Sequence, residues 1–96
     1  MSVQVLIDCL EPNEDEVVRF YACKTIENIT AQSISAGCSF ANLEVGQKLL
    51  AIYHAQQDEA FKTSAAVSIS HICKLNTTLF PEIFAQMTSV HFSRAL

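Results

Sequence analysis

Turn formers are scarce in this chain: two Gly and two Pro in 96 residues, with no Trp at all. That argues against a β-sandwich or barrel, which places turn residues about every 8–12 positions. Long apolar runs are missing too. The longest, Leu49-Leu50-Ala51-Ile52-Tyr53, falls far short of the roughly 20 residues that span a bilayer. The first residues, Met1 to Asp8, carry no basic region leading into an apolar one, so no secretory signal is read there. Positive charge is thin: Arg19, Lys24, Lys48, Lys62, Lys74 and Arg94 stand singly against ten acids, for a net charge of −4. No such patch neutralises a run of phosphates, so neither nucleic acid nor a membrane surface is an expected partner. With half the residues apolar and only 17% charged, the chain is too apolar for intrinsic disorder. The expectation is a cytoplasmic, soluble, all-helical protein.

The four cysteines, Cys9, Cys23, Cys38 and Cys73, form no C-x-x-C pair and have no His at ligand spacing. A structural zinc is therefore not expected. Cys9, Cys23 and Cys73 fall on apolar faces, where a free thiol acts as a small hydrophobe. The acids cluster at Glu11, Glu14, Asp15 and Glu16 and again at Asp58 and Glu59. Both clusters suit the first turn of a helix, where negative charge meets the positive end of the dipole.

Apolar periodicity predicts five helical segments. Val3 to Leu10 is short and ends at Glu11-Pro12-Asn13, a turn signal. Asn13 three residues before Glu16 reads as a capping box opening a helix from Glu14 to about Ala31, with Val18, Ala22, Ile26 and Ile29 on its apolar side. A Ser/Gly-containing link over 33–39 follows. A third helix is predicted from Phe40 to about Ala55, with Leu43, Leu50 and Tyr53 facing inward. The fourth runs from Asp58 to about Leu75 on Phe61, Ala65, Ile69 and Ile72. Pro81, suited to a first helical turn, opens a fifth that continues to the C-terminus.

A shift of 43 residues lays the chain on itself. Leu6 falls on Leu49, Asp15 on Asp58, Glu16 on Glu59, Ala22 on Ala65, Ile26 on Ile69 and Ile29 on Ile72. Each shared apolar residue is an expected core position. A period near 43 built from a shorter and a longer helix is that of HEAT/armadillo repeats. The expected fold class is thus an all-α, short α-solenoid in a single domain: repeat one over 3–32, repeat two over 40–75, and a partial repeat three over 79–96 ending in a final helix.

The stretch Ala22-Cys23-Lys24-Thr25-Ile26-Glu27-Asn28-Ile29-Thr30 resembles the last-helix consensus of armadillo repeats. In peptide-binding members the consensus Asn reaches a ligand's backbone from the concave surface, and Asn28 matches it. Its counterpart in repeat two is His71. The bulky position often held by Trp in nuclear-import receptors is Lys24 and then Val67, which does not support a Trp-Asn ladder for basic peptides. Over Glu16 to Ile29 the chain is similar to the C-terminal helical repeats of the Fused / unc-51-like kinase four family. That resemblance implies an array tied to microtubules and cilia, beside a kinase-like domain elsewhere in such a protein. No Gly-rich loop, His-Arg-Asp or Asp-Phe-Gly motif occurs in this chain.

No catalytic constellation is read from the sequence. Cys73 lies two residues from His71, and i and i+2 point to different sides of a helix, so His71 is expected to face outward beside Ser70 and Lys74. Gly37 and Gly46 are isolated, and no cofactor is expected. What remains is surface. Opposite the core stripe stand Lys24, Glu27, Asn28 and Ala31, matched 43 residues on by Val67, Ser70, His71 and Lys74. Stacked repeats align such positions on one concave wall, which makes Lys24, Glu27, Asn28, Val67, Ser70, His71 and Lys74 the candidate protein-binding face. The expected function is a non-catalytic interaction scaffold for a peptide or protein partner. The competing expectation is a helical assembly subunit without a peptide groove, for which the apolar segment 79–96 would provide weak self-association.

Overall fold

The computed structural model describes residues 3–79, 81–83 and 85. Among them every regular element is helical: α1 (Val3–Asp8), α2 (Glu16–Gln32), α3 (Ile34–Gly37), a 3₁₀ turn (Cys38–Phe40), α4 (Leu43–Ala55) and α5 (Glu59–Leu75). Leu79, Pro81, Glu82, Ile83 and Ala85 are helical as well. The rest of the predicted final helix, including Phe84, Met87, Val90 and Phe92, lies outside the described residues.

Side-chain caps set most of the boundaries. Asp58 accepts a hydrogen bond from Phe61 N (3.1 Å) and starts α5 one residue after the predicted position. Asn42 does the same for α4 through Val45 N (3.0 Å). Three boundaries differ from expectation. The cap of α2 is Asp15, accepting from Val17 N, and not Asn13. The chain from Glu11 to Glu14 closes on itself first, with Glu14 N donating to Glu11 O (3.1 Å), so Asn13 is spent inside a turn. The expected link over 33–39 is mostly helical. Ser33 ends α2, its N–H bonded to Ile29 O, and its hydroxyl accepts from Ala36 N (3.1 Å) to begin α3. Phe40 accordingly ends the 3₁₀ turn instead of opening α4, and its ring is buried.

The helices pack in a fixed register. Phe20 meets Phe61 edge-on at 5.5 Å, Cys23 Sγ meets Ser64 Oγ at 3.5 Å, and Thr30 Oγ1 meets His71 Nδ1 at 3.0 Å. All three pairs are 41 residues apart, so α2 and α5 run parallel. Against α5, α4 runs the other way: Tyr53 sits under the Lys62 ammonium, Gly46 lies near Ile72, and Asn76 Nδ2 donates to Ala41 O (3.0 Å). The turn after α1 is tied to α4 by the Lys48–Glu11 ion pair. The result is a slab of 43 × 30 × 19 Å.

One continuous core fills it. Leu6, Ile7 and Leu10 from the first segment join Ala22, Cys23 and Ile26 of α2, and Leu49 and Ile52 of α4. Phe61, Ala65, Ile69 and Ile72 close it from α5, as the periodicity predicts. Two predicted inward positions are exposed: Val18 on α2 and Leu43 at the start of α4. Leu43 is the first residue of its helix, so its side chain, tilted toward the N-terminus, has no preceding turn of that helix beside it. Val18 lies on the side of α2 away from α5, on the edge of a shallow groove between α1 and α2 that leaves it uncovered. Gly37 is required by close approach, because a Cβ there would come within 2.7 Å of Leu75 Cδ1 and 3.1 Å of the Thr30 backbone.

Candidate functional site

The seam between α2 and α5 carries most of the polar chemistry of the described structure. Glu27 is its centre. Its Oε1 accepts from Ser64 Oγ (2.8 Å) across the seam and pairs with Lys24 Nζ (3.4 Å), three residues earlier on its own helix. Ser64 has a single hydroxyl proton, and the short contact to the carboxylate takes it. The Cys23 thiol lies on the other side of Ser64, its Sγ 3.5 Å from Ser64 Oγ. Burial pushes the Cys23 thiol above its ordinary pKa, opposed in part by the neighbouring Ser64 and Ser68 hydroxyls.

A second link lies two turns further on. Thr30 Oγ1 donates to the carbonyl of Ile26 (2.7 Å), with Glu27 O also near at 3.1 Å. The hydroxyl proton is therefore used within α2, and His71 must be the donor to Thr30 Oγ1 through Nδ1–H. His71 does not face outward, as its spacing suggested. It is half-buried, and its ring is held by a residue of the neighbouring helix. The reason is tertiary: whichever side of α5 meets α2 is decided by the 41-residue register, which helical periodicity cannot supply.

The other predicted residues divide accordingly. Lys24 and Val67 are half-buried, while Asn28, Ala31 and Lys74 are exposed. Lys24, Glu27 and Asn28 follow one side of α2. Val67 and Lys74 flank His71 at steps of three and four residues, which places them on the same side of α5. Ser70 stands three residues from Val67 and four from Lys74, at the outer edge of that side: at about 100° per residue it lies opposite Phe61 and Ser68, the residues that meet α2. Of the seven candidates, Glu27 and His71 bond across the seam, and Ser70 lies farthest round α5 from it.

Such a wall offers two cations, a carboxylate, an amide with both donor and acceptor, and a short apolar step at Val67. That combination can hydrogen-bond an extended peptide backbone and accept side chains of either charge. Sequence reasoning missed Thr30 and Ser64, which fasten the wall from behind. Their signal was present, as polar residues at positions where a core stripe calls for apolar ones. It also missed a groove of about 420 Å³ between the turn after α1 and α4, floored by Leu10 and Ile52 and edged by Arg19 and Lys48.

All four cysteines are free, with Cys38 exposed. No cluster of three or more His, Cys, Asp or Glu side chains that could hold a metal ion occurs among the described residues. No described helix is long and apolar enough to cross a membrane. No protein family, curated protein or solved structure matches this chain.

Proposed function

We propose that the chain is a non-catalytic protein-interaction scaffold, two units of an armadillo/HEAT-like array that holds a peptide along the α2–α5 seam. The supporting observation is the constant 41-residue offset. Phe20–Phe61, Cys23–Ser64 and Thr30–His71 pair helices that are equivalent under the 43-residue sequence shift, and those helices lie parallel. Parallel stacking of equivalent helices is what repeat arrays do, and it is not what two unrelated antiparallel hairpins are obliged to do. On this reading Lys24, Glu27, Asn28, Val67, His71 and Lys74 form the binding wall. Asn28 and Lys74 make the direct contacts, because both are exposed and neither fastens the seam. The similarity to the Fused / unc-51-like kinase four repeats favours a cytoplasmic partner of the microtubule or cilium.

Selection from a displayed peptide library, followed by fluorescence anisotropy on the selected peptides, tests this. Asn28→Ala with Lys74→Ala should weaken binding at least about tenfold, the effect of losing one or two net hydrogen bonds to a charged or amide group. Helical circular dichroism should not change. Selected peptides that bind the double variant as tightly as the parent would remove the wall as the site.

A further inference from the structure

A group of exposed apolar side chains lies on α2 beside α1. Tyr21 is 64% exposed and Val17 61%, with Val18 beside them. A shallow groove of about 240 Å³ runs between α1 and α2 here, bounded by Leu6, Cys9, Val18, Tyr21, Ala22 and Thr25. None of these side chains is charged.

The internal register says what this surface is for. Moved by 43 residues, Val18, Tyr21 and Thr25 become Phe61, Ser64 and Ser68. Those are the residues with which α5 buries itself against α2: Phe61 stacks on Phe20, Ser64 bonds Glu27, and Ser68 is fully enclosed. The open surface of α2 is therefore the counterpart of a surface that the second unit keeps covered. Its natural cover is a helix parallel to α2, presenting residues equivalent to Phe20, Cys23 and Glu27.

This chain owns a second such helix. Moved by the same 43 residues, Phe20, Cys23 and Glu27 become Thr63, Ala66 and Ser70 of α5, all three exposed. We propose that the chain associates head to tail with a second copy of itself, α5 of one copy covering α2 of the next. The 41-residue offset, carried across the contact, sets Thr63 over Val18 and places Tyr21 between Ala66 and Ser70. A large exposed ring then enters a gap left by small side chains. Val18, Tyr21 and Thr25 are uncharged, as are Thr63, Ala66 and Ser70; Glu59 and Lys74, each four residues beyond an end of the α5 row and both exposed, stand at its rim. The contact is heterologous, using different surfaces on the two copies, and it adds units without closing a two-fold dimer. It goes beyond the peptide wall: its centre is Tyr21 against Ala66, and neither residue belongs to that wall.

Sedimentation equilibrium of the full chain at physiological ionic strength, from micromolar to millimolar concentration, tests it. The mean mass of the parent should rise with concentration and pass the dimer. Tyr21→Glu and Ala66→Arg alter exposed positions, so the helical signal should survive, and each variant alone should stay monomeric. Mixed in equal amounts they should form a one-to-one heterodimer and stop there, because Tyr21→Glu retains the α5 face and Ala66→Arg retains the α2 face. A parent monomeric throughout the range would overturn the proposal. So would a mixture that stays monomeric, or an Ala66→Arg variant that associates like the parent, which would mean a symmetric contact through Tyr21 alone.

Discussion

Replacing Phe61 with Ala should be the most damaging single truncation on α5. The ring is only 2% exposed, meets Phe20 edge-on at 5.5 Å, and has the Arg19 guanidinium 5.9 Å from its centre. Truncating a buried Phe costs about 3–5 kcal/mol. The aromatic pair, worth about 0.5–1.5 kcal/mol, and the cation over the ring, worth about 0.5–1 kcal/mol, place Phe61 in the upper half of that range. A chain of this size has about 5–15 kcal/mol in all, so Phe61→Ala will remove a large share of the folded population. Phe61→Leu keeps most of the volume and should cost about 1–1.5 kcal/mol, which leaves a measurable folded state. The informative control is Val18→Ala. Val18 is the counterpart of Phe61 under the 43-residue shift, yet it is 41% exposed, and its truncation should cost under about 1 kcal/mol. Urea unfolding followed at 222 nm, at low protein concentration, measures all three. A loss under about 1.5 kcal/mol for Phe61→Ala, below the range for a filled core site, would refute the packing of α5 on α2 described above.

Ile26→Ala and Ile69→Ala should each cost about 2–5 kcal/mol in the same assay, with Ile26 (0% exposed) ahead of Ile69 (7%); losses under about 1 kcal/mol at both would remove their equivalence as core positions. Gly37→Ala should destabilise by about 1–3 kcal/mol despite the better helix propensity of Ala, because the added carbon meets Leu75 and the Thr30 backbone; an unchanged melting temperature would contradict that close approach. Burial raises the thiol pKa of both Cys23 and Cys73, so the folded state holds protons that the unfolded chain releases. Stability should be constant below the ordinary thiol pKa and fall as pH rises above it, and Cys23→Ala should flatten that fall. A steeper fall in the variant would reverse the sign of the argument.

Several features were legible in the residues alone because they depend on local periodicity. The α5 stripe of Phe61, Ala65, Ile69 and Ile72 is buried as its spacing predicts, since three- and four-residue steps put side chains on one side of any helix. Asp58 opens that helix, as an acid ahead of an apolar run should. Three of the failures were contests between local signals that sequence cannot rank. Asn13 and Asp15 both suit a cap, and the turn closed by Glu11 and Glu14 settled it for Asp15. The Ser33–Phe40 stretch looks like a linker by composition, but Ser33 caps α3, and Gly37 lets that turn lie against Leu75. Leu43 belongs to an apolar pattern and is still exposed at its helix start.

What the amino-acid sequence determined by itself is therefore the helices, their inner stripes and the 43-residue correspondence between the two halves. Tertiary structure alone decided the 41-residue register of α2 on α5. That register sends His71 to Thr30 and Ser64 to Glu27, although helical spacing offered His71 as an outward residue of the wall and did not single out Ser64 at all. Periodicity names the side of a helix on which a residue stands. It carries no information about which neighbour covers that side, because the cover comes from residues some forty positions away, chosen by how large and small side chains fit together across the seam.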